Sequence, residues 1–168
     1  MTRDADVRAA GPADAGAVWA ILSEAAGWQV ALGTPLWLDG ELDEGDTAAQ
    51  VAAGRVLVAE VGGEPAGTIR FQGEDPLFWP DLPDPGAGYV HRLAVGRRFA
   101  GRGVSSALLR AAAARLRGMG RRVIRLDTPA DRPRLRAVYE RFGFRHHSDL
   151  RVGPYFVSRY ELDTGPLP

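Results

Sequence analysis

The chain contains no cysteine and no lysine among its 168 residues. Without cysteine it can form no disulfide, no thiolate metal site and no thiol nucleophile. All 21 basic residues are arginine, so no lysine side chain is available for acylation. The sequence also lacks an apolar run as long as a membrane span and an apolar signal core near its N-terminus. We therefore expect a cytoplasmic protein that does not bind a membrane.

The net charge is zero, but the charges are unevenly distributed. Residues 1–84 hold 4 arginines and 15 acidic residues, whereas residues 85–168 hold 17 arginines and 6 acidic residues. Halves of opposite charge attract each other within a fold, and they also suit a phosphorylated cofactor on the basic side and a cationic amine on the acidic side. Nucleic-acid binding is disfavoured, because the arginines of 110–122 lie among Ala and Leu without interleaved aromatic residues.

The most informative segment is Arg98–Gly103, Arg-Phe-Ala-Gly-Arg-Gly, which follows an apolar run, Val90 to Val95, and precedes a helical run, Val104 to Leu116. Its two glycines permit positive φ, so several backbone N–H groups can converge on one anion at the positive end of the next helix. We therefore predict a pyrophosphate cradle. A dinucleotide fingerprint would need glycine in place of Ser106, and a Walker loop would need Gly-Lys-Ser/Thr.

This pattern, Arg-x-x-Gly-x-Gly, resembles the acyl-CoA loop of the GNAT N-acetyltransferase superfamily. A second segment agrees, because Arg125–Thr128 has the composition of a buried strand and Pro133–Phe144 that of a helix ended by a glycine. GNAT enzymes have a strand there, then a loop with asparagine, and a helix with a tyrosine followed by a Gly-Phe turn. Tyr139 and the pair Gly143-Phe144 match, whereas Arg132 stands in place of the asparagine.

The resemblance covers nearly the whole chain and implies one domain over residues 1–168. The implied α/β fold has a mixed, mostly antiparallel sheet, a parallel, splayed strand pair, and helices on both faces. The residue pattern agrees, because predicted strands and helices alternate after a leading hairpin. It predicts strands over 7–10, 55–61, 66–71, 89–95, 123–126, 144–147 and 155–162, helices after Asp14 and over 46–53, 104–116 and 133–142, an irregular or short helical stretch over 28–38, and a long connection over 73–88.

The resemblance also implies acetyl-CoA as co-substrate and no metal. It assigns the pantetheine to the backbone of Leu93, Ala94 and Val95, in a slot made where this strand splays from Val123–Leu126. A backbone N–H near Leu93 would polarise the thioester carbonyl. The other expected cofactor contacts come from Arg98, Phe99, Ala100, Gly101, Arg102, Gly103, Val104, Ser105, Arg132 and Tyr139.

Two residues are candidates for proton transfer. Tyr139 is the candidate general acid, since a phenol with a pKa of about 10 is protonated at neutral pH; the alternative is a tyrosine that only packs in the core. His91 is the candidate base, because imidazole titrates near neutral pH; the alternatives are a structural histidine, a chain of waters, or the carboxylates of Glu41, Glu74 and Asp75.

Four aromatic residues in the two irregular apolar stretches are the candidate walls of an acceptor pocket. Core packing is the alternative for each of them. Glu74 and Asp75 lie close to Phe78 and Trp79 in the sequence, and this combination would suit an amine with an apolar neighbour. The four are Trp28, Trp37, Phe78 and Trp79.

These features together predict an acetyl-CoA-dependent N-acetyltransferase that acts by direct transfer, because no cysteine or serine elbow offers a covalent nucleophile. The acceptor would be an amine of a small molecule or peptide, and the protein a monomer or homodimer. An acyl-CoA-binding sensor without transferase activity is the alternative, and an enzyme that acetylates a hydroxyl is a third.

Overall fold

The computed structural model describes residues 4–165 of the chain. This part contains seven strands and four α-helices. The strands form one sheet in the order β1-β2-β3-β4-β5-β7-β6, in which β4 and β5 are parallel. This mixed sheet confirms the predicted fold class. The elements are β1 (Asp6–Ala9), α1 (Ala15–Ala31), α2 (Glu44–Ala52), β2 (Val56–Val61), β3 (Glu64–Gln72), β4 (Ala87–Val95), α3 (Val104–Gly118), β5 (Val123–Pro129), α4 (Pro133–Phe142), β6 (Arg145–Val152) and β7 (Tyr155–Asp163).

Helix α1 is longer than predicted, since it continues through Trp28, where the sequence pattern indicated an irregular or short helical stretch. The helix ends at Ala31, two residues before Gly33. Gly33 has a φ of +72° and donates its N–H to Val30, a common way for a helix to terminate. None of the helices between residues 4 and 165 is long and apolar enough to cross a membrane.

By its internal contacts the chain divides into two units. Of the described residues, the first unit comprises 4–70 and 92–112, and the second comprises 71–91 and 113–165. The chain passes from one unit to the other within β3, within β4 and within α3. That all 168 residues form one domain stays a prediction.

The core of the first unit lies between α1, α2 and β2. Val18 and Leu22, one helical turn apart on α1, pack with Val51 of α2 and with Val56 and Val58 of β2. All five side chains are buried. The spacing on α1 therefore gives the helix one core face, as predicted from the sequence.

Gly67 lets α3 approach β3 closely. A Cβ at this position would lie 2.8 Å from Val104, 2.9 Å from Leu108 and 3.0 Å from the backbone oxygen of Ala94. These neighbours are buried, so they have little room to move. The start of α3, which follows the predicted cradle, is thus fixed against the sheet by a glycine.

The core of the second unit includes an aromatic cluster. Trp79, from the connection between β3 and β4, packs with Ala87 and Tyr89 of β4. In the same unit, a Cβ on Gly88 would lie 2.6 Å from the side chain of Leu116 on α3. A second glycine of the sheet therefore serves the close packing of the same helix.

We expect Gly67→Ala to lower the free energy of unfolding by about 1–3 kcal/mol, because the methyl group overpacks the contact between α3 and the sheet. Gly16→Ala is the matched control, since a Cβ there meets no heavy atom within 4 Å. Its position inside α1 should make it stabilising by about 0.5–1 kcal/mol. Urea denaturation of both variants gives the two values, and an unchanged midpoint for Gly67→Ala would contradict the packing argument.

Candidate functional site

The predicted cradle connects β4 to α3. It begins with a 3-10 turn over Arg97–Phe99 and continues with two glycines in the left-handed region, at φ +76° for Gly101 and +75° for Gly103. L-residues with side chains rarely adopt this conformation. A Cβ on either glycine would meet no heavy atom of the protein within 4 Å, so the space beside both is open. The backbone conformation, and not protein packing, thus requires these glycines.

Backbone hydrogen bonds and one buried ring anchor the start of this loop. The N–H of Gly96 donates to the oxygen of Ala66 on β3 at 2.8 Å, and the N–H of Phe99 donates to the oxygen of Gly96 at 2.9 Å. The Phe99 side chain is buried. The loop is therefore held to the sheet on the side that precedes its glycines.

The open end of α3 follows directly. Its first intrahelical bond runs from the N–H of Ala107 to the oxygen of Gly103, at 3.0 Å. The N–H groups of Val104, Ser105 and Ser106 come before this bond, at the positive end of the helix dipole. Together with the two glycines, they form a backbone arrangement of the kind that binds phosphate groups.

Three arginines surround the loop. The guanidinium groups of Arg98 and Arg102 lie 4.6 and 5.8 Å from the ring centroid of Phe99, and Arg98 also pairs with Glu64. The guanidinium of Arg97 lies 3.5 Å above the ring of Trp28 on α1. The predicted pocket residue Trp28 is therefore a partly exposed neighbour of the loop.

Strand β4 is irregular at Arg92, whose φ is +56°, the only positive φ of a non-glycine residue in the described part of the chain. Its guanidinium donates to the backbone oxygen of Glu41 at 3.1 Å and lies 5.3 Å from the ring of Trp37. A left-handed residue interrupts the pleat, as a bulge does. The side-chain alternation predicted over 89–94 therefore does not continue through Arg92. Trp37, a predicted pocket residue, is half-buried against the core of the first unit.

The predicted pantetheine strand offers mainly its backbone. Ala94 is buried, and Leu93 and Val95 are half-buried. On the other side of the loop, the side chain of Val104 is buried and that of Ser105 is half-buried. Contacts from Ala94 and Val104 to a ligand would therefore come from the main chain.

The parallel ladder between β4 and β5 is short. It comprises three pairs, from Ala87↔Val123 to Tyr89↔Arg125, although both strands continue beyond these residues. The last pair of the ladder is Tyr89↔Arg125. Two residues further along each strand lies a polar residue, His91 on β4 and Asp127 on β5. The single acidic residue of strand β5 is the sequence signal that could have identified Asp127.

His91 lies between two carboxylates. Its Nε2 is 3.0 Å from Oδ2 of Asp75, and its Nδ1 is 3.8 Å from Oδ1 of Asp127. The exposed fractions of the side chains are 15% for His91, 4% for Asp75 and 11% for Asp127, so the cluster is largely shielded from water. The structure thus brings together the predicted base and one of its alternatives, Asp75.

The ligand-type atoms of this cluster lie within 4.8 Å of one another, a spacing that a small cation site would also have. These atoms are one nitrogen of His91 and one oxygen of each carboxylate. The arrangement is therefore compatible with a bound cation as well as with an imidazole held between two carboxylates.

Tyr139 lies on α4 and is half-buried. Its ring packs edge-to-face on Phe144 at 6.0 Å between centroids and lies 6.5 Å from Tyr160. Burial raises the pKa of the Tyr139 phenol above its ordinary value, and the negative charge of Asp127 raises it further. The phenol is therefore protonated at neutral pH, as a proton donor must be.

The ends of α4 differ in how well they are capped. Gly143, at φ +123°, ends the helix at the predicted residue. At the other end Arg132 occupies the N-cap position without a side-chain cap bond, and its guanidinium pairs with Asp131 at 2.9 Å. Asparagine is a preferred N-cap residue, and arginine cannot cap in this way.

The last two predicted pocket residues occupy different environments. Phe78 is half-buried and packs edge-to-face on Tyr155, 5.5 Å between centroids. Trp79 is only 1% exposed, and the guanidinium groups of Arg125 and Arg159 lie 4.4 and 4.8 Å from its ring centroid. This burial argues against the prediction that Trp79 lines a pocket and favours its packing alternative.

Comparison with known proteins gives consistent results. The acetyltransferase (GNAT) family model matches residues 21–144. The uncharacterized N-acetyltransferase YesJ of Bacillus subtilis is 31% identical over 138 residues, which cover 78% of this chain and 76% of YesJ. A GNAT-family acetyltransferase of Listeria monocytogenes superposes with a TM-score of 0.76 at 26% identity, over 94% of this chain and 95% of its own.

The protein yncA of Salmonella typhimurium, solved with its cofactor acetyl-CoA, has the same fold, with a TM-score of 0.73 at 19% identity over 97% of this chain and 95% of yncA. The segment matched by the family model contains both stretches that carry the resemblance in the sequence, the glycine loop and α4. The chain belongs to the acetyltransferase (GNAT) family.

Proposed function

We propose that the protein is an acetyl-CoA-dependent N-acetyltransferase that acetylates an amine of a small molecule or peptide. The observation that carries this proposal is the loop with two left-handed glycines before α3, which has open space beside both of them. Family membership supports the transfer of an acetyl group, and the acetyl-CoA bound to yncA supports acetyl-CoA as its donor.

The cofactor would be held mainly by backbone groups. N–H groups from Gly101 to Ser105 would bind the pyrophosphate, with Arg98 and Arg102 supplying positive charge. Phe99 and Ala100 would shape the loop. The main chain of 93–95 would bind the pantetheine, and the cofactor contacts of Arg132 and Tyr139 stay predictions from the sequence. Acetyl-CoA supplies a thioester, from which the acetyl group leaves with a thiolate as the other product.

Two side chains would move the protons of the reaction. His91 would take a proton from the acceptor nitrogen, whose electron pair then forms the new C–N bond. Tyr139 would give its proton to the departing thiolate, consistent with a raised pKa that keeps the phenol protonated. Transfer would be direct, because the chain has no cysteine to carry the acetyl group.

The acceptor is proposed to be cationic in solution. The carboxylates of Asp75 and Asp127 beside His91 favour an ammonium group over a neutral hydroxyl. Of the four predicted pocket residues, Trp28, Trp37 and Phe78 have exposed surface. The cytoplasmic location and the monomeric or homodimeric state stay predictions from the sequence.

Gly103→Ala should weaken acetyl-CoA binding about 10-fold or more. A left-handed backbone costs an L-residue about 1–2 kcal/mol, and the new methyl group would enter the open space beside the N–H groups. Gly54→Ala is the matched control, because Gly54 has nearly the same φ, +74°, and equally open surroundings. Calorimetric titration should give an unchanged Kd for the control, and an unchanged Kd for Gly103→Ala would remove the basis of the proposal.

Tyr139→Phe should lower kcat about 100-fold while the Kd for acetyl-CoA changes little, since the ring remains and only the proton donor is lost. Tyr89→Phe is the control, because it also deletes one phenol hydroxyl of the same unit. That hydroxyl accepts a hydrogen bond from Arg125. Release of free thiol with a panel of amines measures turnover.

Two results of this assay would contradict the assignment. Full turnover of Tyr139→Phe would mean that another group protonates the thiolate. Tight acetyl-CoA binding by the parent protein without turnover of any amine would favour the acyl-CoA-binding sensor.

A further inference from the structure

The connection between β3 and β4, residues 73–86, is organised around Asp75. The N–H of Trp79 donates to the backbone oxygen of Asp75 at 3.0 Å, and the N–H of Phe78 donates to its Oδ1 at 3.1 Å. Both bonds close a turn that begins at Asp75. The carboxylate is therefore fixed by the fold of its own segment.

Two buried arginines hold this turn in place. Arg125 and Arg159 are 6% and 3% exposed, and both guanidinium groups lie close to the Trp79 ring centroid, at 4.4 and 4.8 Å. Arg125 also donates to the backbone oxygen of Leu82 at 2.6 Å, and Arg159 to that of Phe78 at 3.2 Å. The connection is thus bound to β5 and β7 through its backbone as well as through its tryptophan.

One oxygen of Asp75 remains for His91. Oδ1 accepts the bond from Phe78, whereas Oδ2 is inaccessible to water and has no hydrogen-bond partner among the described residues. Nε2 of His91 is likewise buried without a hydrogen-bond partner and lies 3.0 Å from this oxygen. A buried carboxylate oxygen is costly unless a donor or a positive charge faces it. The imidazole is the group that faces this oxygen, at the 3.0 Å of an ion pair.

We propose that Asp75 is a positioning residue for His91 and that the connection 73–86 is built to hold its carboxylate at Nε2. A carboxylate at one ring nitrogen selects the tautomer protonated there and leaves the other nitrogen as the acceptor. Nδ1 of His91 therefore takes the proton of the acceptor amine as the N–H bond breaks. This inference rests on the proposed role of His91 as the base.

Other ionisable groups face the same imidazole. Asp127 of β5 lies on the Nδ1 side, and its charge also acts on Tyr139 of α4. In the sheet, Asp127 stands directly opposite Arg159 of β7. Asp75 faces Nε2, whereas Asp127 faces Nδ1. Removing the carboxylate of Asp75 should therefore change the tautomer and the orientation of the His91 ring as well as the charge beside it.

The test is the pH profile of kcat/KM for Asp75→Asn. The amide removes the carboxylate that faces Nε2, so the plateau of the profile should fall about 10-fold or more because the tautomer is no longer selected. Asp84→Asn is the matched control from the same connection. Its carboxylate is 41% exposed, and its Oδ1 accepts from the N–H of Gly86, a bond that asparagine keeps.

A double-mutant cycle separates this inference from the proposed function. In a His91→Gln background, Asp75→Asn should have no further effect on kcat/KM, because Asp75 acts through the imidazole. Full turnover of His91→Gln would overturn the base role itself. A large loss in His91→Gln together with an unaltered profile in Asp75→Asn would overturn only the inference about Asp75.

A measurement on the parent protein covers the case in which Asp75→Asn does not fold. Nitrogen NMR of the three histidines, with His91 assigned by comparison with His91→Gln, reports which ring nitrogen carries the proton in the neutral form. We expect protonation at Nε2. Protonation at Nδ1 would overturn the proposal.

Discussion

The positive φ of Arg92 divides β4 into two parts with different tasks. Before it, the strand pairs in parallel with β5 and carries His91; after it, the strand leads to the glycine loop and α3. A left-handed arginine costs about 1–2 kcal/mol in backbone energy. The bond to the oxygen of Glu41 and the contact with Trp37 offset this cost. The candidate residues on β4 thus lie on both sides of this one backbone conformation.

The separation of charge along the sequence has a structural explanation within the second unit. Acidic residues of the connection 73–86 meet arginines from the basic half of the chain, as Asp81 meets Arg159 and Asp84 meets Arg125. The hydrogen bond from Arg159 lowers the pKa of Asp81. Part of the excess of arginine thus stabilises the fold and is not available for phosphate groups. Arg98 and Arg102 of the loop are exposed, and of the two Arg98 is paired with Glu64.

The sequence predicts what depends on local chemistry. The glycines of the loop, the helix that follows and the end of α4 at Gly143 are all set by residues within a few positions of the feature itself. The polar cluster and the burial of Trp79 depend on contacts between residues distant in the sequence. Trp79 looks like a pocket residue because its neighbours are irregular, and it is buried because Arg125 and Arg159 come from strands that follow much later. The left-handed conformation of Arg92 has no local signal, since neither glycine nor asparagine marks the position.

The two buried cations that hold the connection 73–86, Arg125 and Arg159, are both arginines. Alkaline pH therefore does not remove their charge. A guanidinium stays charged at any pH at which the protein is folded, whereas a buried lysine readily loses its proton. The planar group also reaches several acceptors at once, as Arg125 does with Leu82, Tyr89 and Glu161. Trp79 and its turn therefore keep both cations beside them as the pH rises. A loss of activity at alkaline pH would then not be explained by a loosening of this connection.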